Sequence, residues 1–358
     1  MAGAGAFGRN HLRVYRELEM AGLGVALVAA VEPDEARAGD AEAKYGIPVY
    51  CSVDKLLSAD LKLDAATVAV PTVHHHAVAS ALLDAGLDLL VEKPLAASLK
   101  EADDLIERAE KGGRGKDKII VQPGHLERFN PAVLAVEPKL RRPMFFESHR
   151  LSVFTPRALD VDVVLDLMIH DLDIVLTFAA SPVREVRAVG LPILSPKVDI
   201  ANVRVEFESG CVANFTASRV STELVRKLRF FEPRQYVSID YARRDLLVIG
   251  VDGGIPAEIA AAIAAGKIEP AALAKLAAAA GAAGGPGPGL SFSKPPVKEG
   301  EPLRLEIESF LDSVRTRREP RVTARQGRNA LALALEIQAS MEAHAKRAGL
   351  RDFFKASA

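Results

Sequence analysis

The chain has few of the residues that mark specialised classes of protein. Its 358 residues include no tryptophan and two cysteines, and 5% are aromatic. Cys51 and Cys211 cannot build a disulfide framework and neither has the spacing of metal ligands, so we expect a reducing cytoplasm as the compartment and no metal. The net charge of −1 gives no electrostatic reason to propose nucleic acid or an anionic membrane as a partner.

Long apolar segments are also missing. The alanine-rich stretch at 256–283 comes nearest to a membrane span, but Glu258, Lys267, Glu269 and Lys275 interrupt it, which is typical of a surface helix. No signal peptide is recognisable, and no membrane partner is expected. A chain of this length can form two domains with separate cores.

Short apolar runs alternate with amphipathic runs through the first third of the chain. This alternation predicts parallel strands joined by helices, in a doubly wound α/β sheet. Gly46 and Gly86 stand where two of the helices would end. The predicted strands are Val25–Glu32, Ala65–Pro71, Leu87–Pro94 and Lys118–Gly124, and the predicted helices are Phe7–Met20, Asp34–Tyr45, His74–Ala85 and Ser98–Lys111.

The pattern changes after Pro123. A long helix is predicted at Val161–Phe178, and the runs that follow predict an α+β domain with an open, largely antiparallel sheet. We therefore divide the chain into domains at 1–122 and 123–358, with a low-complexity insertion of alanine, glycine and proline at 252–300. The predicted strands are Val183–Pro192, Ala201–Ser209, Cys211–Val220, Leu228–Phe231, Tyr236–Tyr241 and Asp245–Val251, and the closing helices are Leu303–Thr316 and Ala324–Ala345.

A glycine-rich hexapeptide stands near the start. Gly3-Ala4-Gly5-Ala6-Phe7-Gly8 is a G-x-G-x-x-G pattern, in which the glycines allow a tight turn and close approach of a pyrophosphate. The following helix N-terminus offers amide groups to the phosphates. Glu32 ends the next predicted strand, where an acidic residue binds a ribose 2′-OH and repels a 2′-phosphate. We therefore expect NAD rather than NADP, a preference that Arg37 would weaken.

The hexapeptide lacks the strand that normally comes before it. Only Met1 and Ala2 precede Gly3, whereas the fingerprint follows a strand that is central in the usual order. The sequence therefore predicts a truncated first strand, through a late start assignment or a shortened chain. It also predicts lower stability than that of a complete homologue.

Ionisable residues mark two further places. Lys93 ends an apolar run at the carboxyl end of a predicted parallel strand, where open α/β sheets bind ligands. Farther on, Asp162, Asp166, His170 and Asp173 share one face of an otherwise apolar helix, because they are three and four residues apart. A histidine beside a carboxylate, with an ammonium group nearby, suits proton transfer at neutral pH. The alternatives are a surface lysine and a satisfied core pair.

Thr72 and His75 lie just past a strand end and are predicted neighbours of the cofactor. Consecutive histidines at 74–76 point in different directions on a helix and cannot all hold one metal ion. Arg157 and Arg219 are cations that would clamp an anionic substrate, although a salt bridge within the protein is the alternative for each.

A second group of polar residues follows the last predicted strand of the first domain. His125, Glu127, Arg128 and Asn130 form a patch here. The patch is either a substrate-facing loop or a crossover contact between domains. The sequence leaves these two alternatives open.

In order and spacing, these motifs resemble those of the Gfo/Idh/MocA oxidoreductases, the glucose–fructose oxidoreductase and inositol dehydrogenase family. The resemblance rests on the hexapeptide, on Val70-Pro71-Thr72-x-x-His75, on Glu92-Lys93-Pro94 and on Asp166-x-x-x-His170-x-x-Asp173. It covers most of the chain outside the 252–300 insertion. It implies a Rossmann domain followed by an α/β domain with an open sheet, whose outer face often forms homodimers or homotetramers.

The resemblance also implies a function. Lys93, Asp166 and His170 would form the catalytic group, and the segment 124–132 is similar to that of members that oxidise the 3-hydroxyl of UDP-N-acetylglucosamine. An inositol or free-sugar dehydrogenase is the alternative enzyme, and a sensor that binds NAD without catalysis is the alternative outside enzymes. The expected cofactor-binding residues are Gly3, Gly5, Ala6, Phe7, Gly8, Glu32, Pro71, Thr72, His75, Glu92 and Lys93, and the expected substrate-binding residues are His125, Arg128, Asn130 and Arg157.

Overall fold

The computed structural model describes residues 1–112, 118–154, 161–250 and 291–350. The first part of the chain forms short parallel strands with helices between them, which confirms the predicted parallel sheet. The strands are β1 (Ala30–Val31), β2 (Val49–Tyr50), β3 (Ala65–Val68), β4 (Asp88–Glu92) and β5 (Val121–Gly124), and the helices are α1 (Gly8–Met20), α2 (Glu35–Tyr45), α3 (Val53–Leu57), α4 (His75–Asp84) and α5 (Leu99–Lys111).

Local signals explain where these helices begin and end. Asp34 caps α2 by accepting a hydrogen bond from the Arg37 amide, and Ser98 caps α5 in the same way. Such side-chain caps satisfy amides that have no partner inside the helix. Gly46 ends α2 in the left-handed region at φ 61°, a conformation that glycine adopts without strain.

Ala2 joins the two halves of the first sheet. It forms isolated parallel bridges to Val31 in β1 and to Val68 in β3. The predicted strand Val25–Glu32 is wrong in its extent, because β1 contains only two of its residues. The preceding residues 25–29 instead line a cavity of about 520 Å³ together with residues 62–67 and Phe310.

The second part of the chain forms an open mixed sheet. Its order is β13-β12-β11-β10-β6-β9-β8-β7, and all neighbours are antiparallel except the parallel pair β6 and β9. This confirms the expected largely antiparallel sheet. The strands are β6 (Phe145–Leu151), β7 (Val183–Leu191), β8 (Ile200–Phe207), β9 (Val212–Ser218), β10 (Val225–Glu232), β11 (Gln235–Asp240), β12 (Asp245–Gly250) and β13 (Ser291–Ser293), and the helices are α6 (Pro131–Val136), α7 (Ile169–Ala179), α8 (Pro302–Thr316) and α9 (Ala324–Arg347).

Helices cover one face of this sheet and build the larger core. Alternate residues of the strands, such as Phe146 and Phe215, are buried against α7 and α9, as expected for a sheet with one covered face. Thr323 and Gln326 form a capping box that starts α9.

Helix α8 belongs to the last part of the chain but packs on the first sheet. Leu303, Ile307 and Phe310 form one cluster with Leu90 of β4 and Val14 of α1. The chain therefore returns to the first sheet after completing the second. This return places side chains from opposite ends of the sequence behind β4.

Five of these elements were not expected from the sequence. The central strand β6 and the short elements β2, α3, α6 and β13 had no prediction, while the predicted 252–300 insertion lies largely outside the described residues. Within the described ranges, no helix has the length and apolarity needed to cross a bilayer.

Candidate active site

The glycine loop has the backbone geometry of a tight turn. Gly3 has a φ of +93°, and a Cβ atom at this position would lie 2.6 Å from the carbonyl oxygen of Ala69. A Cβ atom at Gly8 would lie 2.1 Å from the Gly3 oxygen. At Gly5, by contrast, a Cβ atom would have no atom of the described residues within 4 Å other than those of its two chain neighbours. The loop is therefore closed against the sheet and open at the residue that a pyrophosphate would approach.

Helix α1 begins directly at the end of this loop. Its N-cap is Phe7, which makes no side-chain cap and is partly exposed. Ala6 lies in the same turn. The uncapped helix N-terminus leaves amide groups that are suited to an anionic ligand.

Glu32 lies at the end of β1 and holds the loop. Its carboxylate accepts hydrogen bonds from the Ala4 amide at 2.8 Å and from the Asp34 amide at 3.2 Å, and it is 4% exposed. The guanidinium of Arg37 donates to the same carboxylate at 2.9 Å. Arg37 thus partly neutralises the charge that would oppose a 2′-phosphate, as its position in the sequence suggested.

Lys93 extends from the end of β4 to the second part of the chain. Its ammonium group donates to the main-chain oxygens of Asp166 at 2.6 Å and Leu165 at 3.4 Å, and lies 4.0 Å from the Asp166 carboxylate. The side chain is 19% exposed. Burial lowers the pKa of Lys93, while the negative charges of Asp166 and Glu92 act in the opposite direction. The fold therefore brings together two of the three expected catalytic residues.

The helix geometry at Asp166 explains how Lys93 binds there. Residues Val164–Met168 form one turn of π-helix before α7 begins. In such a turn the hydrogen bonds skip an extra residue, and turns of this kind are frequent at functional sites. Asp162 caps its start by accepting from the Val164 and Leu165 amides. The carbonyl oxygens of Leu165 and Asp166, which accept from the lysine, both belong to this turn.

His170 lies on the next turn of the same helix. Burial lowers its pKa well below the usual value, and the positive charges of Lys93 and Arg150 act in the same direction. Its Nδ1 atom is buried and has no hydrogen-bond partner among the described residues. Burial and these positive charges favour the neutral imidazole, which is the form that can accept a proton.

The loop after β3 supports Lys93 from the other side. His75 is 1% exposed, and its ring nitrogens lie 2.8 Å from the Pro94 oxygen and 2.9 Å from the Val70 oxygen. This histidine ties the loop to the segment that carries Lys93. Pro71 and Thr72 lie at the carboxyl end of β3 and are more exposed.

Glu92 points into the protein. Its carboxylate lies 2.8 Å from Nε2 of His11 and 3.3 Å from the Lys93 amide. No pattern in the sequence pairs Glu92 with His11, because 81 positions separate them. Its expected part in cofactor binding stays a prediction, and in this structure the side chain supports Lys93.

The patch after β5 is buried between the two sheets. Arg128 lies 3.6 Å and Nδ1 of His125 lies 4.0 Å from the Asp173 carboxylate. Neither ring nitrogen of His125 has a hydrogen-bond partner among the described residues. Asn130 caps α6 and also donates to Glu127. These contacts match the crossover alternative, and substrate binding by His125, Arg128 and Asn130 remains a prediction.

The two arginines that were expected to clamp a substrate have different outcomes. Arg157 lies outside the described residues. Arg219 is buried and donates to Asp199 at 2.7 Å. Burial opposes ionisation of Asp199, but hydrogen bonds from Ser195 and nearby amides outweigh it and lower its pKa to about 2. This pair accounts for Arg219 within the protein.

Sequence reasoning missed a buried carboxyl group. Glu306 falls on the apolar stripe of α8, between Leu303 and Ile307, and is completely buried. A charged residue at an apolar position of the periodic pattern was the available signal. Among the described residues, no three side chains of the metal-ligating types gather in one place.

Comparison with known proteins agrees with this geometry. Residues 1–115 match a family described as "Oxidoreductase family, NAD-binding Rossmann fold", and residues 133–231 match the GFO/IDH/MocA C-terminal domain. The chain is 30% identical over 346 residues to UDP-N-acetylglucosamine 3-dehydrogenase of Acidithiobacillus ferrooxidans, which covers 96% of this chain and 97% of the relative.

Two further comparisons are with a solved structure and with a relative that matches only part of the chain. A solved structure of the Acidithiobacillus ferrooxidans enzyme covers 96% of both chains with a TM-score of 0.79 and 30% identity. Inositol 2-dehydrogenase 2 of Saccharopolyspora erythraea is 31% identical over 179 residues, or 48% of this chain and 50% of the relative.

Proposed function

We propose, given that this chain belongs to the Gfo/Idh/MocA oxidoreductase family of NAD(P)-dependent dehydrogenases acting on CH–OH groups, that it oxidises the 3-hydroxyl of a UDP-N-acetylglucosamine-type nucleotide sugar with NAD. One observation carries the proposal. Lys93 of the first sheet contacts the π-turn at Asp166 of the second part, beside His170, whose Nδ1 no described residue pairs. The substrate class is supported by the likeness to UDP-N-acetylglucosamine 3-dehydrogenase along 96% of the chain.

The glycine loop and Glu32 are the residues that would hold NAD. The open face of Gly5 and the N-terminus of α1 suit the pyrophosphate, and Glu32 suits the ribose hydroxyls. Pro71, Thr72 and the Lys93 segment lie at the carboxyl ends of β3 and β4, where the nicotinamide end would bind. When bound, NAD supplies the acceptor for the hydride that leaves the sugar carbon.

His170 would remove the proton from the sugar hydroxyl. As the O–H bond breaks, the proton passes to the imidazole, which is neutral because burial and neighbouring cations lower its pKa. The carbon that carried the hydroxyl becomes a carbonyl carbon when its hydride leaves. Protein groups thus control the proton, and the cofactor takes the electron pair.

Lys93 would stabilise the oxygen that loses this proton. Its ammonium group has three N–H donors, and two of them are directed to the oxygens of Leu165 and Asp166. The third remains for the substrate oxygen, where negative charge develops. Asp166 would orient the lysine or bind another sugar hydroxyl.

A thermal-shift titration tests the substrate class. We expect UDP-N-acetylglucosamine and UDP alone each to raise the melting temperature, because binding to the folded state stabilises it. Myo-inositol should leave it unchanged. NAD reduction with UDP-N-acetylglucosamine should then be measured by absorbance. Stabilisation by myo-inositol and not by UDP would contradict the proposal.

An inositol dehydrogenase is the second candidate. The partial match to inositol 2-dehydrogenase 2 supports it. The proposed catalytic lysine, aspartate and histidine would act on an inositol hydroxyl in the same way as on a sugar hydroxyl. NAD reduction by myo-inositol at a rate above that with UDP-N-acetylglucosamine would favour this alternative.

The outer face of the second sheet is the surface that we propose for self-association into a homodimer or homotetramer. Phe231 is 37% exposed there and its ring lies 5.5 Å from that of Phe145 and 5.1 Å from that of Tyr236. Exposed aromatic clusters favour protein contacts. Light scattering of wild type and Phe231→Glu tests this surface, and a monomeric wild type would exclude it.

A further inference from the structure

One arginine of the second sheet has no anionic partner in the described part of the protein. Arg226 lies near the start of β10 and is exposed. Its guanidinium forms no ion pair and no hydrogen bond with any described residue. Arg150 on the neighbouring strand β6 is buried instead, and it binds the carboxylates of Asp171 and Glu127. The donors of Arg226 are therefore available to a ligand, whereas those of Arg150 are used within the fold.

The strand register places Arg226 directly opposite Arg150. The two residues are partners across the antiparallel strands β10 and β6, an arrangement that brings two Cβ atoms to within about 4.5–5.5 Å on one face of the sheet. The main-chain oxygen of Arg226 also accepts from the Tyr241 amide at 2.9 Å, and the Arg150 guanidinium lies 5.2 Å from the centre of the Tyr241 ring. Arg226 therefore lies on the same face of the sheet as Arg150.

The packing of α7 on this face shows which end of the sheet carries Arg226. Phe230, four residues farther along β10, packs on Phe178 in the last turn of α7, with ring centres 6.0 Å apart. Arg150, opposite Arg226, binds Asp171 in the first turn of α7 at 2.6 Å. The direction from Phe230 to Arg226 thus leads toward the beginning of α7, which the π-turn precedes. Arg226 therefore lies at the end of the sheet that carries the candidate active site.

The helices that cover this face of the sheet do not cover Arg226. Leu228 and Phe230 point to the same face, because side chains alternate along a strand, and both are buried. Arg226 is exposed, so the covering layer ends between it and Leu228. The positive charge of Arg226 also contributes to the low pKa of His170, which agrees with this position. Arg226 is thus an accessible cation at the active-site end of the covered face.

We propose that Arg226 binds the diphosphate group of the nucleotide-sugar substrate. The proposal rests on the proposed function for the identity of that substrate. A guanidinium presents planar N–H donors that match two phosphate oxygens at once. The diphosphate is attached to C1 of the sugar, two carbons from the C3 that would be oxidised, so Arg226 would hold the substrate while His170 acts on it. An inositol or a free sugar has no phosphate and would gain nothing from Arg226.

Calorimetric titration with UDP tests this role without turnover. The titration is done with NAD at a saturating concentration, so that UDP does not bind in the cofactor site. We expect Arg226→Met to weaken UDP binding by about 10- to 100-fold, because hydrogen bonds between charged groups are lost. Arg226→Lys, which keeps the charge but not the planar donors, should recover part of the loss. Uridine, which has no phosphate, should bind wild type and Arg226→Met equally.

Arg229→Met is the matched control. Arg229 lies on the same strand, but its side chain points to the opposite face of the sheet and pairs with Glu147 at 3.2 Å. This variant should bind UDP as wild type does. Without ligand, Arg226→Met should keep the melting temperature of wild type, because an exposed side chain without described partners contributes little to stability. A clear fall in that melting temperature would show a structural role for Arg226 and overturn the proposal.

Equal UDP affinity in wild type and Arg226→Met would also overturn it, as would a wild type that does not bind UDP. Steady-state kinetics separate this result from the proposed function. With UDP-N-acetylglucosamine, Arg226→Met should raise KM by about the same factor and change kcat much less, since the contact is made before and during the reaction. Turnover with an unchanged KM in Arg226→Met would remove the role of Arg226 and leave the proposed function intact. UDP binding that depends on Arg226, in a wild type that does not oxidise the nucleotide sugar, would overturn the proposed function alone.

Discussion

Helix α7 carries two neighbouring acid–base residues whose surroundings differ. Asp171 faces Arg150, whose Nε lies 2.6 Å and whose Nη2 lies 3.2 Å from its carboxylate, while Nη1 lies 3.1 Å from Glu127. His170 is one residue earlier and points in another direction. The positive charge of Lys93 acts on it, and its Nδ1 has no hydrogen-bond partner in the described part of the chain. Arg150 is bound by carboxylates through all of its nitrogens, whereas His170 and Lys93 are only partly satisfied.

The difference distinguishes residues that stabilise the fold from residues that take part in the reaction. Buried charges that meet all their partners hold two elements together, since breaking such a pair leaves an uncompensated charge. Buried groups without partners are rare in folded proteins and call for an explanation. The Nδ1 atom of His170 is closed to solvent and the Nε2 atom is not among these buried atoms, so Nε2 is the nitrogen that a substrate hydroxyl would reach. We therefore expect substitutions at Arg150 to affect stability and substitutions at Lys93 to affect turnover.

The largest effect should follow Lys93→Met. Removing the ammonium group should reduce turnover by about 10²- to 10⁴-fold, because charge on the substrate oxygen is no longer stabilised. NAD affinity, measured by calorimetry, and the melting temperature should change little. Near-normal turnover would show that the partly satisfied cluster is not the catalytic group.

Arg150→Met should have the opposite effect and reduce stability rather than turnover. Asp171 and Glu127 would be left buried without their partner, which typically costs about 3–5 kcal/mol. Denaturant unfolding measures this loss. Arg204→Met is the matched control, because Arg204 pairs with Glu206 on the exposed face and should change stability by less than about 0.5 kcal/mol. Equal losses in both variants would remove the distinction between buried and exposed pairs.

A smaller effect is expected for Glu32→Gln. Without the carboxylate charge, Arg37 is free to meet a 2′-phosphate, so the ratio of NAD to NADP affinity should fall by about tenfold, or 1.4 kcal/mol. Calorimetric titration with both cofactors measures the ratio. Arg37→Met should move the ratio the other way. An unchanged ratio in both variants would exclude this pair as the basis of cofactor choice.

The pH dependence of turnover should show the smallest effect. His170 must be neutral to accept a proton, and its folded pKa lies well below 6.5. The acid limb of kcat/KM should therefore lie below about pH 6.5, the ordinary histidine value. By the same linkage, His170 destabilises the fold as pH falls below its unfolded pKa. An acid limb above that value would show that a group other than His170 accepts the proton.

Local patterns in the sequence predicted most of the fold. Helices with caps, such as α2 and α5, and the alternating strands β8 and β9 were recognised from their own residues. The prediction was wrong for Val25–Ala29, because a strand needs a neighbour and apolar character alone does not supply one. β6 was missed because its polar residues, among them Arg150, hide the alternation.

The candidate site was only partly predictable for a similar reason. Lys93, Asp166 and His170 carry local signals: a strand end and a helical spacing. The contact of His11 with Glu92 forms only when α1 packs on β4. Glu306 becomes buried only when α8 packs on the same sheet, and no local pattern predicts either packing. The π-turn at Asp166 was also unpredicted, because the spacing of residues in this segment predicts only a regular helix.

Transfer of isotope tests the central claim most directly. UDP-N-acetylglucosamine that carries deuterium at C3 is incubated with the protein and NAD, and the products are analysed by mass spectrometry. We expect the deuterium in the reduced nicotinamide and a 3-keto sugar that has lost it, with both signals falling in Lys93→Met. Deuterium that stays in the sugar while wild type reduces NAD would contradict oxidation at that carbon.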